Sequence, residues 1–188
     1  MKDIPLKFDE KKTTQAAAIL LRKHGGPMEF LKLLKLLYLA DRQSLLRSGR
    51  SITCDRYVSM DHGPVLSMTY DLISNGTSVQ KESFWLQHIS VPADYRVKVL
   101  NDPGNSELSE VETQMLEEVY ATFGNWDQWK LVDEVMHVLP EWEDPNGSSI
   151  PIAVDDILTR NGKTPLEAAS IENELESLSA VQQFFRDK

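Results

Sequence analysis

The stretch from Met28 to Arg47 carries eight leucines in twenty residues. At 100° per residue its polar side is narrow, because Lys32, Lys35 and Arg42 fall within roughly 80° of one another. Leu31, Leu33, Leu34, Leu36, Leu37, Tyr38, Leu39, Leu45 and Leu46 point in nearly every other direction. A helix this apolar has to be packed on more than one side, so 28–47 is read as the central helix of a helical body.

One residue contradicts that pattern. Asp41 falls among Phe30, Leu34, Leu37 and Leu45, in the middle of the apolar face. A lone buried carboxylate costs several kcal/mol unless hydrogen bonds or a cation compensate it. Arg56, Tyr57 and His62 lie just downstream. The segment 52–64 is therefore expected to fold back over the C-terminal half of this helix.

Other elements follow from their punctuation. A first helix spans 13–24, capped by Thr13 or Thr14 and stopped by Gly25-Gly26-Pro27. Residues 56–60 read as a short extended piece. Gly63-Pro64 reads as a turn, with Pro64 opening a third helix that ends at Asn75-Gly76. Ser83–Val91 and Tyr95–Leu100 read as a β-hairpin. Ser109 and Glu112 have capping-box spacing at the start of a helix ending near Phe123. A further helix from Trp126 to His137 has Trp129, Leu131, Val132, Val135 and Met136 as its apolar set. Trp142 plugs an edge of the core, and 152–158 forms a short helix. Thr164-Pro165-Leu166-Glu167 opens a last helix whose stripe Ile171, Leu175, Leu178, Val181 and Phe185 docks on the body. The expected architecture is mainly α with a small β-hairpin at about 83–100. A domain over 1–145 is followed by a helical extension, 146–188, packed on it.

Several chemistries find no support in the residues. Cys54 is the sole cysteine, which excludes an internal disulfide and a multi-cysteine metal cage. His24, His62, His88 and His137 are dispersed without HExxH. Glu134 and His137 form one i, i+3 pair where a di-iron bundle needs two. Arg160–Thr164 imitates the tail of a P-loop but lacks its first glycine. Cys54 with His62 is the only conceivable nucleophile–base pair, and no flanking signature supports it. No cofactor, metal or catalytic residue is assigned, and the chain is expected to be no enzyme.

The charge is asymmetric. Residues 1–60 hold 12 lysines and arginines against 6 acids, while the whole chain has a net charge of −9. That total speaks against a general nucleic-acid binder. No run of 18 apolar residues exists, so no membrane span is expected, and the first ten residues lack the apolar core of a signal peptide.

The run Phe30–Arg42, FLKLLKLLYLADR, resembles the opening motif of the Panacea domain, the SocA-like family of antitoxins and phage-associated proteins. Ile52–Tyr57 is similar to the family's "pitgdrY" segment, with Cys54 where glycine is common. His62-Gly63-Pro64-Val65 resembles its G-P element, and His137–Trp142 its H-x-x-P-x-W signature. The motif residues are thus Tyr38, Asp41, Arg56, Tyr57, His62, Gly63 and Pro64. The resemblance implies a cytoplasmic, non-enzymatic antitoxin that neutralises a cognate protein toxin by direct binding. The alternative it leaves is a proteolytic adaptor or a phage accessory protein without a toxin. A protease and a second copy of the chain remain as further partners. Candidate contact residues are the cations Lys32, Lys35 and Arg42, the aromatics Phe84 and Trp85, and the acids Glu110, Glu112, Glu117 and Glu118.

Overall fold

A computed structural model describes residues 7–74 and 83–186, with side chains through Val181. The elements in chain order are α1 (Glu10–His24), β1 (Met28–Glu29), α2 (Phe30–Ser48), β2 (Tyr57–Met60), β3 (Gly63–Leu66), α3 (Ser67–Ser74), α4 (Phe84–His88) and β4 (Arg96–Val97). They are followed by α5 (Glu110–Phe123), α6 (Gln128–Glu134), a 3-10 turn at Met136–Val138, β5 (Ile150–Ile152), α7 (Val154–Arg160) and α8 (Pro165–Arg186). The architecture is mainly helical with two small antiparallel sheets.

Helix α2 is the axis. Leu33, Leu34, Leu36, Tyr38, Ala40 and Leu45 are fully buried, and α1, α3, α5, α6 and α7 all pack against it. Gly49 ends it in the left-handed conformation (φ 71°), which glycine adopts without steric cost. Helix α1 begins three residues earlier than expected, because Asp9 rather than Thr13 or Thr14 is its cap and accepts from the Lys12 N–H. Both threonines are buried one turn further in, their hydroxyls donating to the carbonyls of Asp9 and Glu10.

The strands differ from expectation. Residues 84–88 form a short helix capped by Ser83, and the expected hairpin is reduced to isolated bridges, Ile89 with Val99 and Ala93 with Arg96. Beyond it, β4 pairs with β1. The main sheet is elsewhere, in the order β3-β2-β5. Pro64 lies in strand β3 opposite Ser59 instead of opening a helix. It is tolerated there because β3 is an edge strand. The third helix starts at Ser67, and the expected stop at Asn75-Gly76 lies outside the described residues.

Two expected caps are present. Ser109 and Glu112 form a reciprocal capping box, and Thr164 and Glu167 form another with Pro165 as the first helical residue. Helix α8 lies on α7, with Ala168 and Leu175 buried and Ile171 against Gly49, while Leu178 and Val181 of the same stripe are exposed. The side chain of Phe185 lies outside the described part.

Gly63 follows the two-residue turn Asp61-His62 with φ 89°, and a Cβ there would come within 2.4 Å of the Met136 Cβ. Gly63→Ala is expected to destabilise the chain by about 2–3 kcal/mol, combining left-handed strain with overpacking. A shift of the urea midpoint at unchanged slope checks this.

Candidate partner-binding cleft

Three parts of the fold converge on a cleft of about 760 Å³. The first turns of α2 supply Phe30, Leu31, Leu34 and Lys35. The β2–β3 turn supplies Met60, Asp61, His62 and Val65, and helix α6 supplies Trp129. Tyr70 of α3 and Tyr95, just before β4, complete the apolar walls. The volume lies inside the range typical of ligand clefts, about 300–1,000 Å³.

Each wall is positioned by ordinary local chemistry. Asp127 caps α6 by accepting from the N–H groups of Trp129 and Lys130, which fixes the tryptophan in the first turn. The Trp129 ring meets His62 edge-on at 5.2 Å. Asp94 and Tyr95 both adopt positive φ (49° and 62°), and the Tyr95 carbonyl accepts from the Phe30 N–H. This holds the Tyr95 ring 6.2 Å from Phe30. Arg96 pairs with Glu29 at one edge. Trp129 is 51% exposed and Tyr95 77% exposed. Large exposed apolar rings beside a concavity mark an interaction site, and tryptophan and tyrosine dominate binding hot spots.

Lys35 lies under the floor, fully buried. Its ammonium donates to the carbonyls of Gly63 and Pro64 at 3.1 and 3.0 Å. With no carboxylate to offset desolvation, burial pulls its pKa down to about 7. Lys32 is also buried and donates to the Gly124 carbonyl. Arg42 turns inward to Glu141, whose carboxylate also accepts from Tyr38 and Asn161. Burial raises the Glu141 pKa, but the Arg42 charge and these donors outweigh it and leave it below the usual range. The expected cationic contact face is therefore internal, because each cation finds a backbone or carboxylate acceptor.

The expected acidic face is also largely spent. Glu112 pairs with Lys12, Glu117 with Lys23 and Glu118 with Arg47 and Gln43. Nearby, Glu107 pairs with Lys11 and Asp102 with Arg22. The basic N-terminal helices and the acidic 102–118 region thus face each other within the chain. Glu110 alone among the four named acids remains exposed without a described ion pair. Trp85 is a core residue, and half-buried Phe84 lies tilted against His88 with ring centroids 4.2 Å apart. Neither is a free contact aromatic.

Asp41 is fully buried, and the segment after α2 does fold back onto it. Its donors are the Ser51 hydroxyl, the Thr53 N–H and the Tyr57 hydroxyl. Arg56 and His62 take no part. Arg56 is exposed and contacts the Met68 sulfur, and His62 lies at the cleft. Of the three candidates only Tyr57 donates, so neutral hydrogen bonds rather than a cation compensate the carboxylate, and burial still raises the Asp41 pKa against them.

Cys54 has φ 54°, which explains why glycine suits this position. Its neighbourhood is that of Ser51 and Asp41, and burial followed by the Asp41 charge pushes the thiol up to about 11. Alkylation by iodoacetamide at pH 8 is expected to run about a hundredfold slower in the native chain than in urea, as thiolate availability dictates. Among the described residues no cluster of three histidine, cysteine or acidic side chains could hold a metal ion. No helix there is long and apolar enough to cross a membrane.

Residues 33–143 match the family model described as Antitoxin SocA-like, Panacea domain. The chain belongs to this family. The Panacea match opens within α2, contains Asp41, the β2–β3 hairpin and Trp129, and ends at Glu143, two residues past the Glu141 acceptor of Tyr38 and Arg42. Comparisons with the curated proteins and with the solved structures return no match. Nothing in the sequence singles out Phe30, Tyr70, Asp94 or Trp129 as site residues. The one available signal is an aromatic, Tyr95, directly after the loop Pro92-Ala93-Asp94.

Proposed function

We propose that the chain is the antitoxin of a toxin–antitoxin pair, acting in the cytoplasm by binding its cognate toxin directly and without turnover. Membership of the SocA-like antitoxin family carries this reading. The aromatic cleft supports it by offering the exposed tryptophan and tyrosine that protein interfaces use as anchors. A rigid body built on α2 would occlude the toxin's working surface, with specificity set by complementary charge and a few anchors.

The test is co-expression with the small reading frames neighbouring its gene. One of them should arrest growth alone, and the wild-type chain should restore colony counts by at least a hundredfold. Trp129→Ala combined with Tyr95→Ala should lose at least tenfold of that rescue, since both side chains are exposed and their removal leaves the core intact. Cys54→Ser should rescue fully. If no neighbouring product is toxic, or none is neutralised, the reading fails.

A further inference from the structure

We infer that the cleft between α2, the β2–β3 turn and α6 receives a segment of a partner protein in which a bulky apolar side chain stands close to a lysine or arginine. The inference rests on the antitoxin reading only for the source of that segment.

Charge decides the class of occupant. Two rim carboxylates, Asp61 and Asp94, are exposed and have no ion pair among the described residues. Asp61 accepts one hydrogen bond, from the Gly147 N–H, on a single oxygen. The other rim charges cancel, because Glu29 is bound to Arg96. Lys35 contributes no accessible cation, its amine lying beneath the floor and turned to the Gly63 and Pro64 carbonyls. The opening is therefore anionic over an apolar interior. The walls carry four rings, Phe30, Tyr70, Tyr95 and Trp129, whose faces attract cations as carboxylates do. Phosphate and acidic peptides meet repulsion here, which sets nucleic acid aside. A buried apolar anchor would gain from the rings, and an adjacent guanidinium or ammonium would reach Asp61, Asp94 or a ring face. The space, about 760 Å³, accommodates more than one large side chain.

Panning a random dodecapeptide phage library on the full immobilised chain tests this. Enriched peptides should pair a bulky apolar residue with lysine or arginine within four positions. By fluorescence anisotropy, the enriched peptide should bind at least tenfold more weakly to Trp129→Ala and to Asp61→Asn/Asp94→Asn. Its affinity for the wild type should also fall as salt rises. Enrichment of acidic or uncharged peptides, absence of enrichment, or equal binding to the Trp129→Ala chain would overturn the inference. Toxin rescue is scored separately. Rescue undiminished in Asp61→Asn/Asp94→Asn removes the cleft assignment and leaves the antitoxin reading intact. Basic peptides held by the cleft without rescue of any toxin do the reverse.

Discussion

Asp41→Ala should lower the unfolding free energy by about 3–5 kcal/mol, read from urea denaturation followed by tryptophan fluorescence. The carboxylate accepts from the Ser51 hydroxyl at 2.9 Å, the Thr53 N–H at 2.7 Å and the Tyr57 hydroxyl, all in the interior. Removing it leaves three buried donors without an acceptor, each costing about 1–3 kcal/mol, partly relieved by relaxation. Asp41→Asn should cost less, because the amide oxygen still accepts one or two of these bonds. A loss below about 1 kcal/mol in the alanine variant would mean that the 51–57 segment holds its place without the carboxylate.

Lys35 should make stability rise with pH. Its folded-state pKa is about 7 against an ordinary 10.5. Between those values the unfolded chain holds a proton that the folded chain does not, so raising the pH removes a cost of folding. The slope is about 1.4 kcal/mol per pH unit, or roughly 3 kcal/mol over two units within that window. The neutral amine keeps two N–H groups, enough for both carbonyl acceptors. Lys35→Met should abolish this slope, and the difference between the two chains isolates it from other titrating groups. Parallel pH profiles would show that Lys35 stays protonated when folded.

Much of this was legible in the residues, and the exceptions have physical causes. The apolar girth of α2 demanded a central position, and Asp41 on its apolar face demanded donors from the segment that follows. Ser109-x-x-Glu112 and Thr164-x-x-Glu167 announced their helices because a capping box is wholly local. The buried lysines were not legible, since a helical wheel assigns lysine to water and nothing in sequence marks the Gly63, Pro64 and Gly124 carbonyls as acceptors. Residues 84–88 were too short for periodicity to separate helix from strand. Gly63-Pro64 suggests a helix start, the commoner role, whereas Pro64 occupies a rarer one, an edge strand. The cleft draws on segments from Glu29 to Ser148, so its assembly is a property of the tertiary fold. Trp129 belongs by its spacing to the apolar set of an amphipathic helix, and sequence has no mark that separates a core ring from an exposed one.

The placement of β5 has a consequence for biosynthesis. Tyr57–Ser59 is flanked on one side by β3, a few residues away, and on the other by Ile150–Ile152, contributed some ninety residues later. Until that late segment emerges from the ribosome, β2 presents an open backbone ladder to whatever is nearby. A polypeptide stopped at 145 is expected to keep that ladder bare and self-associate, whereas in the full fold the edge passes to β5, which is three residues long and carries Pro151.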